Sequence, residues 1–219
     1  MKKTITIFGE YGVGVLKQYE AKALTFDLDG TLKESSKPKS GFKGLIYDEV
    51  RNAVVYPHKL KVLRELKKKL TASYKDKPLT PGAENILCEA YLKDLPFSLV
   101  TTWPEFLLEE LRANPEFNDI LSLAHHKITG DKAKYVRNGK NPELYKMSLD
   151  KFGLKGNQVV GFADSYQDLC AMTKNGIDIN AVHMYNPNLD PKENQEIARM
   201  TTFLEIPTVH SLDQVLIGK

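Results

Sequence analysis

Apolar positions along the chain fall into short runs with two different periods. Thr4 to Phe8 (TITIF) alternates and Ala21 to Leu28 (AKALTFDL) is a second apolar run, which predicts strands over 4–8 and 21–28 with turns at the glycines 9, 12 and 14. Phe97 to Thr101 (FSLVT) and Gln158 to Phe162 (QVVGF) read as compact strands, and shorter ones are predicted over 127–129 and 180–185. Elsewhere the spacing is helical. His58 to Leu70 sets Leu60, Leu63, Leu66 and Leu70 at helical intervals with cations opposite. Pro81 and Gly82 open a helix to about Leu92, and Thr102 is a candidate N-cap for another that has Pro104 in its first turn. Further helices are predicted over 143–152, 166–174 and 211–216.

Strands alternating with helices argue for an α/β protein whose parallel sheet is covered on both faces. In such sheets ligands bind beyond the C-terminal ends of the strands. The polar residues agree with that rule. The first strong strand ends in Asp27 and Asp29, the second in Thr101 and Thr102, the third in Asp164, Ser165 and, one helical turn on, Asp168.

In an extended chain Asp27 and Asp29 point to the same side and repel each other. If the three strands are neighbours, three or four carboxylates converge, and such a cluster requires a cation. Hard oxygen ligands with no nearby Cys or His suit Mg2+ rather than zinc. A magnesium ion held by few carboxylates keeps positions for water and a phosphate oxygen, which points to phosphoryl transfer. That chemistry needs a nucleophile, a charge-neutralising cation and donors to the phosphoryl oxygens. Asp27 is the candidate nucleophile, Asp29 the candidate general acid/base and Thr101 a hydroxyl donor. A lysine is still required.

Length and composition narrow the setting. The 219 residues suffice for one substantial core, or a core with a small inserted unit. A net charge of +3 is too weak to argue for nucleic acid or an anionic membrane. Cys88 and Cys170, each in a predicted helix, do not make a disulfide framework and read as reduced core thiols. The apolar run after Met1-Lys2-Lys3 is shorter than the roughly 7–15 residues of a secretion signal. No segment approaches the ~18 apolar residues of a membrane span, so the expectation is a soluble, cytoplasmic protein.

Several features have plainer readings. Gly12-Val-Gly14 lacks the third glycine of a nucleotide-binding loop and reads as a turn. His125-His126 has no carboxylate or cysteine at ligand spacing and reads as an exposed pair. The cationic helix at 59–69 reads as a solvated face, and Trp103 as a hydrophobic anchor for the following helix ahead of a pocket-lining residue.

Four segments, "DLDGT" at 27–31, "SLVTT" at 98–102, Lys140 before "NPELY" and "GFADSYQD" at 161–168, resemble the motifs of the haloacid dehalogenase superfamily in that superfamily's order. The resemblance implies a doubly wound, Rossmann-like parallel sheet with a small, mainly helical inserted cap. The core would span 1–32 and 79–219, and the cap 33–78. It further implies Mg2+-dependent phosphomonoester hydrolysis through an aspartyl-phosphate. Asp27 would be nucleophile and metal ligand, and Asp29 the acid/base with its backbone carbonyl on the metal. Thr101, with Thr102 beside it, and Lys140 would bind the phosphoryl group. Asp164 would ligate magnesium and Asp168 would support the metal shell.

Lys140 stands one residue nearer to its proline than in the commonest form of the third motif, and Lys132, Lys134 and Lys146 are alternatives. The second aspartate of the first motif favours phosphate chemistry over dehalogenation. The expected partner is a small phosphorylated metabolite, with no nucleic acid and no membrane, acted on by a monomer or homodimer. A phosphosugar mutase or phosphotransferase of the same fold is one alternative. A non-catalytic binding protein that keeps the fold is another.

Overall fold

Ile5 and Ile7, the inward positions of the first alternating run, are fully buried, and the run forms strand β1 (Lys3–Gly9). The computed structural model containing it describes residues 2–9, 15–34, 78–103, 105, 108–109, 112, 114–130 and 142–218. The cap over 33–78 apart from its ends, the helix over 58–70, the Gly12–Gly14 turn, Pro104, Lys132, Lys134 and Lys140 lie outside the described residues.

The sequence departs from expectation on both sides of β1. Val15–Ala21 is a strand, β2, that pairs antiparallel with β1 and places Ile5 opposite Tyr19. The segment predicted as a helix over 211–216 is instead a 3-10 turn at Leu212–Gln214 followed by a strand at Val215–Ile217 that pairs with the other edge of β1. Val215 and Ile217 are buried while Leu216 faces out, so the period is two once a strand edge is available.

The main sheet is parallel. Strands β3 (Ala23–Asp27), β4 (Phe97–Val100), β5 (His126–Ile128), β6 (Val159–Ala163), β7 (Asn180–Met184) and β8 (Thr208–Val209) lie in the order β5-β4-β3-β6-β7-β8. The C-terminal strand is β9 (Val215–Ile217). Every residue of β3, β4 and β6 is buried, as expected where both faces are covered. One face packs against α1 (Ala83–Leu92) and α2 (Pro115–Leu123), with Phe26, Phe97 and Phe162 in that core. Phe26 stacks on Phe162 at 4.8 Å and meets Phe97 edge-on at 6.0 Å, tying the three central strands together. The other face, with Ala23, Val100 and Ala163, packs against α3 (Pro142–Phe152), α4 (Tyr166–Thr173) and α5 (Pro191–Phe203).

Helices α2 and α5 were not anticipated. In α5 the buried residues are Ile197 and Thr201, a stripe too thin to stand out in a polar segment. Its start is set by the Asp190 side chain, which accepts from Lys192 N, and by Pro191 in the first turn. Cys88 is exposed on α1 and Cys170 is partly buried on α4, so the two free thiols are not both core residues. Lys33 and Leu79 form an antiparallel bridge, and Glu34 N donates to Pro78 O at 3.1 Å, which brings the two ends of the 35–77 segment side by side. Among the described residues no helix is long and apolar enough to cross a membrane.

Candidate active site

Strand registers decide which side chains meet. Asp27 closes β3 and lies opposite Val100 of β4, so Thr101 is the next residue beyond the sheet on that side. Phe26 lies opposite Phe162 of β6, which puts Ala163 level with Asp27 and Asp164 one position past it. Neighbouring strands are about 4.8 Å apart, so Thr101, Asp27 and Asp164 stand in a row across three adjacent strand ends. All three are buried, the two carboxylates being 5% exposed.

Asp29 reaches the same region differently from the alternation argument. β3 stops at Asp27, and residues 28–33 make a tight turn in which Leu32 N and Lys33 N donate to Leu28 O and Gly30 N donates to Lys33 O. Gly30 has φ +76°, and a Cβ there would stand 1.8 Å from Asp164 Oδ2, so the turn lies directly against the third strand end. The Asp29 carboxylate accepts the Trp103 indole N–H at 3.2 Å. Trp103 also packs on the core, which accounts for it as a hydrophobic anchor.

Buried side chains hold the acidic groups. Asn186, which follows β7, donates from Nδ2 to Asp164 Oδ2 at 2.6 Å and is itself fixed by Asn188 N on its Oδ1 at 2.9 Å. Asp168 accepts from Tyr145 Oη at 2.8 Å and from Ser165 Oγ at 2.6 Å. Ser165 also caps α4 by accepting Asp168 N, so its capping role stands beside its contact with the acid. Tyr145 is fully buried. Burial, and then the charges of Asp168, Asp27 and Asp164, push its phenol well above its ordinary range, so three acids act on one hydroxyl. His183, level with Ala163 on β7, shares a hydrogen bond at 3.2 Å with Thr208 Oγ1. Its pKa is lowered to about 4, first by burial and then by His210, while the Asp164 backbone opposes the change.

Asn186, Tyr145 and His183 were missed in the sequence, and so was Lys33. The turn residue Lys33, where the resemblance begins the cap, is 1% exposed with its ammonium 4.7 Å from the centroid of the Phe117 ring. Tyr145 lies inside the quoted third motif, which was a usable signal. Asn186 and His183 are joined to the site only through β7, a distant element, and Lys33 through the fold of its turn.

Among the described residues, no group of three or more His, Cys, Asp or Glu side chains is arranged to hold a metal ion. The Asp168 oxygens are engaged by Tyr145 and Ser165. Asp27 and Asp164, the latter with Asn186 on one oxygen, are two buried carboxylates at adjacent strand ends, an all-oxygen donor set of the size with which magnesium is usually held, since it keeps several waters. Lys146 is exposed on α3, whereas Tyr145 and Ser148 face inward, so it is not directed at the site. His125 is exposed, and His126 is partly buried with its ring 4.8 Å from that of Phe152; burial lowers its pKa.

No family model matches the chain. It is 30% identical over 121 residues, 54% of its own length, to the probable pseudouridine-5'-phosphatase of Drosophila melanogaster, and the match spans 49%, about half, of that relative's length. CbbY from Rhodobacter sphaeroides, in complex with xylulose-(1,5)bisphosphate, superposes with a TM-score of 0.63 at 15% identity, covering 88% of this chain and 95% of that one. β-Phosphoglucomutase from Clostridium difficile gives 0.58 at 14% identity over 89% and 92%. A dehalogenase gives 0.55 at 16% identity over 89% and 95%. At these identities the likeness is one of fold, and the fold of this chain is the one these three proteins share.

Proposed function

We propose that this chain, with the haloacid dehalogenase fold and that superfamily's motif residues in order, is a phosphoric monoester hydrolase acting on a small phosphorylated metabolite through an aspartyl-phosphate. The observation that carries the reading is the row of Thr101, Asp27 and Asp164 across three adjacent strand ends. Similarity to a phosphatase over half of the chain supports it.

In the first step an Asp27 carboxylate oxygen attacks phosphorus and the bond to the ester oxygen breaks. Asp29, protonated, gives its proton to the leaving alkoxide. In the second, Asp29 takes a proton from water as that water attacks the phosphorus of the aspartyl-phosphate, releasing inorganic phosphate and restoring Asp27. Thr101 and Thr102 donate to the phosphoryl oxygens, with Lys140 as their cationic partner. The carboxylates of Asp27 and Asp164 and the backbone carbonyl of Asp29 would hold a magnesium ion, which would supply charge to neutralise the acids and the phosphoryl group. Asp168, fixed by Tyr145 and Ser165, supports that shell.

In this reading the core spans 1–32 and 79–219 and the cap 33–78. The enzyme acts as a monomer or homodimer in the cytoplasm, where free Cys88 and Cys170 stay reduced. A panel of phosphorylated metabolites, assayed with and without Mg2+, tests it. The wild type should release phosphate only with the metal, and Asp27→Asn should lose the activity while keeping its circular dichroism. Equal activity in Asp27→Asn would sink the mechanism. Return of the phosphoryl group to a sugar in excess of hydrolysis would favour the mutase, the chemistry named for one of the fold's neighbours.

A further inference from the structure

We infer that Trp103 is a positioning residue for Asp29, holding the acid/base in place from the phosphate-binding segment; this rests on the acid/base reading of Asp29. An indole N–H is a donor only, and this partly buried one is satisfied by Asp29 Oδ2 at 3.2 Å. The backbone that carries the ring is held at two points. Trp103 N donates to Thr101 Oγ1 at 3.2 Å, and Trp103 O accepts Gly130 N at 2.9 Å. Residue 130 passes so close that a Cβ on it would stand 2.0 Å from Thr102 O, which clamps the 101–103 segment.

The ring also packs against the hydrophobic core that includes Phe26 and Phe97, which restricts its two torsions. Asp29 sits in a turn rather than in a strand, where its carboxylate is not oriented by sheet packing. One rigid side chain therefore relates the direction of the acid to the hydroxyl that binds the phosphoryl group. Trp103 acts through Asp29 and the 101–103 backbone, and no reacting atom is assigned to it. Its effect is on where the proton is delivered.

The test is Trp103→Phe, which keeps an aromatic ring on the core and removes the donor. Protonation matters more as the leaving group becomes more basic, so p-nitrophenyl phosphate and phenyl phosphate are compared. The expected kcat loss is about tenfold on phenyl phosphate and under about threefold on p-nitrophenyl phosphate, with KM unchanged on both, a part of the 10²–10⁴ range of a full acid/base. Equal losses on the two esters, or none, overturn the inference. A wild type that hydrolyses neither ester, indistinguishable from Asp27→Asn, overturns the phosphatase reading instead.

A second measurement needs no change at position 103. Trp103 is the sole tryptophan of the chain, so the emission of the folded protein reports on this ring. Asp29→Ala, which removes the acceptor, should shift the emission maximum and intensity while the urea midpoint stays near that of the wild type. Identical emission overturns the contact.

Discussion

Gly30 and Asp164 occupy touching space: a Cβ on residue 30 would lie 1.8 Å from Asp164 Oδ2 and 2.7 Å from the Asn186 amide nitrogen that holds it. The first motif and the fourth therefore meet through a missing side chain. Gly30→Ala must displace Asp164 or the turn, in addition to the about 1 kcal/mol of a left-handed alanine. Activity should fall at least about 100-fold and stability by about 2 kcal/mol or more, read from phosphate release and urea midpoints. Gly153→Ala is the control, because its φ is +63° but nothing lies within 4 Å of an added Cβ. It should cost about 1 kcal/mol and leave the rate unchanged.

The Asn186 amide orients the Asp164 carboxylate at 2.6 Å from a segment more than twenty residues away. Asn186→Ala should raise the Mg2+ concentration for half-maximal activity by about tenfold, as outer-shell losses do, while kcat at saturating metal changes little. A magnesium titration of phosphatase activity checks it. An unchanged half-saturation point would remove Asn186 from the metal's surroundings.

Beneath the strand ends, Ser98 Oγ donates to Thr25 Oγ1 at 3.0 Å and shares a bond of 2.7 Å with Ser148 Oγ of α3, all three being fully buried. Ser98→Ala leaves two buried hydroxyls short of a partner and should cost about 2 kcal/mol in urea unfolding. Ser148→Ala alone should cost about half of that, since Ser98 keeps Thr25. A smaller loss for Ser98→Ala than for Ser148→Ala would contradict the network.

His183 gives a pH dependence with a definite sign. Its pKa falls from an ordinary 6.5 to about 4 in the fold. Between those values the unfolded chain takes up a proton that the folded chain refuses, so stability declines as pH falls through that window. Above it both states are neutral and the residue contributes no slope. At pH 4.5 the penalty should be about 2 kcal/mol relative to pH 7.5. His183→Gln should lack that part of the acid loss. Parallel urea titrations at the two pH values measure the difference, and equal acid losses in the two proteins would refute the assignment.

The strand and helix alternation was legible because β3, β4, β6 and β7 are short runs rich in apolar residues whose signal is local, whereas the two-residue β8 was not predicted. Its C-terminal residues, Asp27, Thr101 and Asp164, are equally local, and the parallel registers then set them side by side. Strand β2 and the C-terminal β9 were not legible. Both are completed by the edges of β1, and Val215-Leu216-Ile217 shows its period of two only when paired. Helix α5 was hidden because Ile197 and Thr201 form a stripe too narrow to register.

By itself, then, the sequence determined the sheet-forming runs, the acids at their ends and the order of the motifs. The tertiary structure decided what holds those acids. Tyr145 on Asp168, Asn186 on Asp164, Trp103 on Asp29 and Lys33 against Phe117 are contacts between elements remote in the chain or across a turn. Periodicity reports which face of an element avoids water. It cannot report which distant donor will arrive there, because that depends on strand order, register and the path of the connecting turns.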